Sequence, residues 1–545
     1  MDIATQFNSQ SIQPSNPYAE YLLHPPEALQ GIVPPSLDRL DDVLKTRKDY
    51  FAKQGSREAM LAALKKSHRR RNAPPSAMQS LDALDSENTF LIIAGQQPGL
   101  LGGPLFTYYK ILHACLLAER LTREREATFL PAFWNAAEDH DFPEIASMHW
   151  LSKDKEIETF TWEGGTDSRK PYFALSARDC PLDALIGRIR ESTHETEFFD
   201  PILQSIREAH GNSVAYPDFI DRLLWMLFPQ EGLVILRPDE EYVRRAARPI
   251  MQREIKESHR NAESIEQAGI RLRDLGLAPQ IHKRPDRTAF FLIRDEQRIP
   301  VYASGDAFTT QEEGEYTQAE LLDLLEHQPA AFSPSAVLRP VVQDAIFPTA
   351  AAILGPGEMA YHFQLNSVYN MHCVPRPCLV PRMGFTLLEK RDRKFLDRYQ
   401  LTPADLQSHP ARLVKQFQRD GDVVEAAQTK EKIEDQLDVF MEGLKEKAGR
   451  IDPSIQNVLD KNQKKILEWL DQSQELLARR AGEKDRILRK QIEGLQAAVF
   501  PHNQWQEREF NIVMYVLKYG LDFLRQFKMA VKETPAGAHR FVNIP

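Results

Sequence analysis

The sequence predicts an α/β protein: a parallel β-sheet core with inserted subdomains, followed by an α-helical antiparallel coiled coil. Three observations carry this reading. A strand–helix–strand unit occupies residues 89–136, and strand, helix and strand at that spacing imply parallel pairing with a right-handed crossover. Short apolar runs return near residues 233, 350 and 378. From about residue 423 to 499 charged residues dominate, and apolar residues recur at spacings of three and four.

The 545 residues correspond to about three domains at roughly 100–200 residues each, or to one large domain with insertions. With 28 Phe, 15 Tyr and 6 Trp, the chain carries too much apolar bulk for disorder. No apolar run reaches the roughly 18–20 residues that a membrane helix needs, so no membrane partner is expected. Lys and Arg number 69 against 78 Asp and Glu, a net charge of −9, which argues against general nucleic-acid binding. The amino-terminal MDIATQFNSQSIQPSNPYAEYLL has no basic start and no apolar stretch, so it does not read as a secretory signal. Four Cys in so long a chain do not make a disulfide scaffold. Cys115, Cys180, Cys373 and Cys378 are expected to be buried, inert thiols of a reduced, cytoplasmic protein. Cys373 and Cys378, in CVPRPC, have no second pair to complete a zinc site.

Taken in order, residues 1–80 read as helical pieces broken by Pro25-Pro26, Pro34-Pro35 and Pro74-Pro75, with a charged helix pair over 36–67. Residues 81–390 read as the sheet core, with insertions around 150–230 and 240–335. Within it, 89–94 (TFLIIA) is a buried strand, 104–125 a long amphipathic helix and 128–136 (TFLPAFWNA) the next strand. Residues 233–236 (LVIL) add a strand, 240–276 look helical, and 290–293 with 299–302 look like a hairpin. The sheet pattern returns at 350–354 and 378–380, with a helix near 358–371 between them. Residues 391–510 read as the coiled-coil domain. Its apolar series runs Ile433, Leu437, Phe440, Leu444, Ala448 and Ile451, breaks at Asp452-Pro453, and resumes at Ile455, Leu459, Asn462, Ile466 and Trp469, then Leu488, Ile492, Leu495 and Val499. That break predicts two helices folded back as a projecting hairpin; a plain helical bundle packed on the core is the alternative. Residues 511–545, with FNIVMYVLKYGLDFL, are apolar enough to pack back on the core.

Four segments carry candidate chemistry. Gly95-Gln96-Gln97-Pro98-Gly99-Leu100-Leu101-Gly102-Gly103-Pro104 joins a buried strand to a helix. Glycines there let backbone approach a ligand, Pro104 suits the first helical turn, and the helix terminus with Lys110 would favour an anion. Spacing excludes both GxGxxG and GxxxxGK[ST]; a tight turn with purely steric glycines is the alternative. Phe133-Trp134-Asn135-Ala136-Ala137-Glu138-Asp139-His140-Asp141, followed by Glu144, falls at the carboxyl end of the next strand. Crowded acids beside His140 point to proton handling or a cation such as Mg²⁺, with His140 expected to have raised proton affinity and to serve as base. A solvated acidic loop is the alternative. The third segment spans Arg339, Gln343 and Gly355-Pro356-Gly357-Glu358 through Tyr361. Arg339 is a candidate carboxylate or phosphate clamp, whereas Glu358 suits plain helix capping. The fourth, Val380-Pro381-Arg382-Met383, places Arg382 past another strand end.

Together these segments resemble the cysteine-adding enzymes of bacillithiol biosynthesis. The residues behind the resemblance are GQQPGLLGGPLFTYYK (95–110), FWNAAEDHDFPEI (133–145), LRPVVQDAIFPT with LGPGEMAYHFQL (338–365) and LVPRMGFTLLE (379–389). EREFNIVMYVLKYGLDFL and the final HRFVNI look like the family's carboxyl-terminal end, so the likeness runs from about residue 80 to 545. It departs at Leu236-Arg237-Pro238-Asp239, where Arg237 stands in place of an expected aspartate. The resemblance implies a nucleotidyltransferase-like Rossmann core with connecting-peptide insertions, and a coiled coil that supports a homodimer. It implies a ligase that joins the cysteine carboxyl to the glucosamine amine of glucosaminyl-malate. Amide formation in water needs carboxyl activation, so ATP is the expected cosubstrate.

The resulting expectation assigns catalysis to His140, Glu138 and Asp139. It assigns substrate or nucleotide binding to Gln96, Gln97, Gly99, Gly102, Gly103, Thr107, Lys110, Asn135, Arg339, Gln343, Gly355, Gly357, Tyr361 and Arg382, with no metal ligand. Two rivals remain at this point: a metal-dependent hydrolase built on Glu138, Asp139, His140 and Asp141, and a non-catalytic coiled-coil scaffold. An ordered polar cleft between the first and third segments counts against the scaffold.

Overall fold

The structure, a computed structural model, describes residues 2–3, 17–29, 31–54, 57–164, 169–281, 286–305, 307–310, 314–417, 420–452 and 454–545. The amino-terminal stretch that does not read as a secretory signal falls largely outside these residues, as does Pro453.

Five strands form the central sheet: β1 (Thr89–Gln96), β2 (Thr128–Asn135), β3 (Val234–Leu236), β4 (Thr349–Leu354) and β5 (Cys378–Pro381). Their order is β5-β4-β1-β2-β3, and every neighbouring pair is parallel. Both faces are covered, which is why β1 reads as an unbroken apolar run without alternation. Phe90, Ile92 and Ala94 join one buried cluster, and Leu91 and Ile93 join another.

α1 (Leu105–Glu124) links β1 to β2. The sequence suggests an amphipathic helix, yet 14 of its 20 residues are buried. The physical reason lies far along the chain. Phe385 and Phe527 bring their rings to 5.0 and 5.8 Å from Tyr109, so the outer face of α1 meets protein and not water. Helices Ile512–Tyr519 and Asp522–Val531 belong to the same buried cluster, as their apolar sequence suggests.

The chain between β2 and β3 holds α2 (Phe142–Ala146), a strand pair and helices. Between β3 and β4, helices Glu241–Ala246 and Arg248–Asp274 precede a five-stranded antiparallel sheet. The expected hairpin, Arg287–Arg294 with Gln297–Ser304, lies inside that sheet, and Phe332–Pro334 forms its edge. The helix expected over 358–371 is instead α3 (Pro356–His362) and a separate turn of helix, Asn366–Met371. The break holds Gln364, whose amide bonds the backbone of Gln280 and Ile281.

Residues 1–390 and 504–545 make one compact unit, and 391–503 another. Residues 504–510, expected in the coiled-coil domain, belong with the core. There Gln506 exchanges two hydrogen bonds with the Leu387 backbone, and Glu507 accepts one from the Phe385 amide. The second unit contains α4 (Asp420–Ile451) and α5 (Ser454–Val499). Lys430 pairs with Asp471, Gln463 donates to Asp438 and Lys445 pairs with Asp460, so the two helices run antiparallel. α5 is continuous, although its apolar pattern has a gap between Trp469 and Leu488. Met441 and Ala448 are buried, whereas Ile433, Phe440 and Ile451, expected in the same seam, are exposed. Cys115, Cys180 and Cys378 are buried thiols; Cys373, expected to be buried with them, is exposed. No helix among the described residues is long and apolar enough to cross a membrane.

Candidate active site

Parallel pairing aligns the carboxyl ends of the strands. Gln96 pairs in register with Asn135, and Leu354 with Pro381. Gln97, Glu138, Gly355 and Arg382 therefore leave the sheet at one edge. Strand order also reverses there: β1 is followed by β2 on one side, while β4 lies on its other side. Open α/β sheets bind ligands at such a point. A cleft of about 910 Å³ opens at this edge, lined by residues from the first, second, third and fourth segments. Gln96, Gln97, Lys110, Glu138, Asp139, His140, Arg339, Gly355, Gly357, Tyr361 and Arg382 all line it. Gln97, His140 and Arg339, far apart in sequence, thus share one polar basin.

A hydrogen-bonded chain crosses its floor. Lys110 Nζ lies 2.5 Å from Glu358 Oε2 and donates to the Gly95 carbonyl and Gln96 Oε1, both at 2.9 Å. Its three donors are engaged, so Lys110 holds the two strand ends together and is not a free cation for a ligand. Burial pulls its pKa down, partly offset by Glu358. Gln96 Nε2 donates to Gln97 Oε1 at 2.6 Å, and Gln97 Nε2 donates to Glu144 Oε2 at 2.6 Å and Asp139 Oδ2 at 3.4 Å. Glu358, which also accepts from the Gly355 amide, both caps α3 and anchors Lys110. That bond engages the Gly355 N–H.

The acidic loop after β2 is organised by a residue that its own sequence does not contain. Arg298, from the inserted sheet, donates to Ser333 Oγ at 2.9 Å and to the Pro334 carbonyl at 2.5 Å. Its Nη1 lies 3.2 Å from His140 Nδ1 and 3.5 Å from Asp139 Oδ1. The guanidinium also covers the Phe291 ring, 4.0 Å from its centroid. Because a guanidinium only donates, His140 Nδ1 must accept, and the proton of the neutral ring is assigned to Nε2. Burial and then Arg298 pull the His140 pKa below its ordinary value, against Asp139 and Asp141. The raised proton affinity expected from sequence is therefore wrong in sign, and His140 presents an N–H donor at neutral pH. Glu138 turns the other way: it pairs with Arg244 and accepts from Ser333 Oγ, each at 3.0 Å. Its Oε1 is buried without a partner.

Glu144 behaves differently. Burial beside Asp139 and Asp141 pushes its carboxyl up to about 7. Arg382 pairs with Glu507 at 2.6 Å and is held in the cleft wall. Arg339 donates to the Tyr361 hydroxyl at 2.8 Å and has no carboxylate at ion-pair distance among the described residues. Its remaining donors suit a ligand carboxylate or phosphate.

Six expected site residues do not line the cleft. Asn135 donates to Asp221 and the Pro217 carbonyl, wholly buried. Gln343 donates to Asp344 in a buried cluster with Tyr369. Thr107 is buried with its hydroxyl unpartnered. Gly99 and Gly103 pack against each other: a Cβ on Gly99 would lie 2.8 Å from Gly103 Cα, and Gly103 has φ +79. Gly102 belongs to the same turn, and Asn511 ties it by donating to the carbonyls of Leu100, Leu101 and Gly103. That half of the turn is a structural knot, not an open anion cradle. Arg237 is buried and paired with Asp218, Asp221 and Asp239, also away from the cleft.

The four residues of the hydrolase reading do not converge: among the described residues, Glu138, Asp139, His140 and Asp141 supply no three donor atoms within 4.8 Å of one another. Glu138 points to Arg244 and His140 to Arg298. These four residues do not form the common ligand set that the hydrolase reading needs, and the polar cleft weighs against the scaffold reading. Arg298, Arg244, Glu144 and Glu507 are functional neighbours that the binding set omits; only Glu144, three residues past Asp141 and one turn into α2, carried a local signal.

Comparison with known proteins agrees with this architecture. Residues 14–383 match the family described as "Bacillithiol biosynthesis BshC, N-terminal Rossmann-like domain", and residues 385–543 match "Bacillithiol biosynthesis BshC, C-terminal coiled-coil domain". A protein of Salinibacter ruber named "Putative cysteine ligase BshC" is 27% identical over 90% of this chain and 89% of its own length. One of the same name from Bacillus licheniformis is 28% identical over 96% and 97%.

Proposed function

The chain belongs to the BshC family of bacillithiol biosynthesis, and from that premise we propose that it is the ligase that joins cysteine, through its carboxyl group, to the amine of glucosaminyl-malate. One observation supports the substrate most directly. Arg339 faces the cleft beside Tyr361 with no carboxylate partner among the described residues, which suits the malate end of such a substrate. Arg382 stands at the same end, fixed by Glu507.

The residues also fit a triphosphate. Lys110, Arg287, Arg298, Arg339, Arg382 and Arg508 line the cleft against four carboxylates, Glu138, Asp139, Glu144 and Glu358. Among the described residues, Arg287, Arg339 and Arg508 have no acidic partner at ion-pair distance, so the cleft holds an excess of cations for an anion to meet. ATP, as cosubstrate, would supply carboxyl activation. The chain's own residues then bind and orient. Arg339 and Tyr361 hold the carboxylate end. Neutral His140, steadied by Arg298, offers Nε2–H to a substrate oxygen, and Gln97 positions the Glu144 carboxylate.

Dimerisation along the coiled coil belongs to this reading. Val439, Phe440 and Trp469 are 74%, 62% and 66% exposed on α4 and α5, large apolar surfaces that a second copy would cover. The reaction is placed in the cytoplasm. Incubation of the purified chain with cysteine, glucosaminyl-malate and ATP, read by mass spectrometry, tests the proposal. Bacillithiol formation that needs all three supports it. Product formed equally well without ATP overturns the activation step, and no product at any composition overturns the ligase reading.

A further inference from the structure

Four carboxylates line the cleft, and three have cationic partners. Glu138 lies 3.0 Å from Arg244, Asp139 3.5 Å from Arg298 and Glu358 2.5 Å from Lys110. Glu144 has none: among the described residues, no Lys, Arg or His reaches it at ion-pair distance. Its one bonded donor is Gln97 Nε2, which fixes Oε2 at 2.6 Å and leaves Oε1 for another donor. The charged or titratable groups facing it are the carboxylates of Asp139 and Asp141 and the hydroxyl of Tyr172. Tyr172 donates that hydroxyl to the Asp141 carbonyl. Arg298, which organises the loop from the inserted sheet, is engaged by Asp139, His140 and Pro334. The surroundings of Glu144 are therefore negative and polar, at the rim of a cleft whose other acids are neutralised.

We propose that Glu144 receives the substrate's ammonium group and takes one proton from it, generating the amine that attacks the activated cysteine carboxyl. This rests on the ligase reading and assigns its proton acceptor. In the step, one N–H bond breaks and an O–H bond forms on Glu144. The freed nitrogen lone pair forms the N–C bond, the C–O bond to the leaving phosphate or nucleotide breaks with its electron pair, and the adduct nitrogen's second proton passes to an oxygen of that leaving group, which leaves a neutral amide. A cation is what the negative surroundings of Glu144 lack. A carboxyl held near 7 also suits exchange with an amine that titrates at about 8, the range of an α-amino group. His140 is the poorer acceptor: its Nδ1 lone pair points at a guanidinium.

The test uses proton linkage and needs no turnover. Seating an ammonium against a partly protonated carboxyl expels the carboxyl's proton. The full-length chain is titrated calorimetrically with glucosaminyl-malate at pH 6.5, in Mes and in imidazole buffer, and the difference in heat counts protons. Wild-type protein should release a measurable fraction of a proton on binding, and Glu144→Gln close to none. Glu144 is exposed at the cleft rim, so the amide variant should keep the wild-type melting temperature; Glu144→Asp, which keeps the acid, should keep the proton release. In the ligase assay read by mass spectrometry, Glu144→Gln should lower kcat by about 10²–10⁴-fold, with a smaller change in KM. Undiminished proton release or unchanged kcat in folded Glu144→Gln overturns the assignment while leaving the ligase reading intact. Failure of wild-type protein to bind glucosaminyl-malate at all overturns that reading and this inference with it.

Discussion

Replacing Glu507 by Ala should loosen the wall of the cleft and destabilise the unit that contains the sheet. Glu507 Oε1 meets Arg382 Nη2 at 2.6 Å, with side chains 2% and 8% exposed. Its Oε2 accepts the Phe385 amide at 3.1 Å. Truncation leaves a buried guanidinium without a counter-charge and an amide without an acceptor. Removing one partner of a buried pair costs about 3–5 kcal/mol, and the orphaned N–H is part of that loss. Denaturant unfolding of wild type, Glu507→Ala, Arg382→Met and the double variant measures it. The double variant should recover most of the loss, because an apolar replacement of both partners is often close to neutral. A cost under about 1 kcal/mol, the worth of a screened surface pair, would refute the reasoning. The pH dependence has a definite sign. Burial pushes the Glu507 carboxyl up, but Arg382 and His539 pull it further down, to a net value below the ordinary range. Its contribution is therefore present above the unfolded value of about 4.3 and is lost as pH falls through the folded one. The gap between wild type and Glu507→Ala should close in acid.

Three further outcomes follow from the same geometry. Arg339→Ala should weaken glucosaminyl-malate binding by about 1.5–3 kcal/mol, roughly 10–150-fold in Kd, with little change in melting temperature; calorimetry measures both effects of losing a charge-assisted bond. In nuclear magnetic resonance titrations His140 should bind its proton below the ordinary pH of about 6.5, and Arg298→Ala should move that titration upward by removing the opposing charge. An unmoved His140 in Arg298→Ala would contradict the pairing. Asn511→Ala should cost about 2–4 kcal/mol in unfolding experiments, because three buried carbonyls lose their donor and Val513 loses its helix-capping acceptor.

Much of this was legible in the chain. The strands are local, unbroken apolar runs, and polar segments follow them directly, so parallel pairing brings Gln97, His140, Gly355 and Arg382 to one edge, which Arg339 reaches from the first turn of the helix that precedes β4. The two coiled-coil helices and their turn followed from periodicity. What escaped were interactions between distant segments. The downward shift of His140 comes from burial first and then from Arg298, 158 residues away in an inserted sheet. The glycine turn has the composition of an anion cradle, but Asn511, more than 400 residues away, ties up its carbonyls. Lys110 looked free because its partner, Glu358, read as a helix cap. In each case the local residue type was informative, but its partner lay on another element and left no trace in the nearby sequence.

The central claim is that loops from four strand ends form one substrate basin. A crystal structure of the full chain with glucosaminyl-malate tests it most directly. The account predicts the malate carboxylates within hydrogen-bonding distance of Arg339, and the sugar amine turned toward Glu144. Ordered ligand elsewhere, with this cleft holding only solvent, would contradict it.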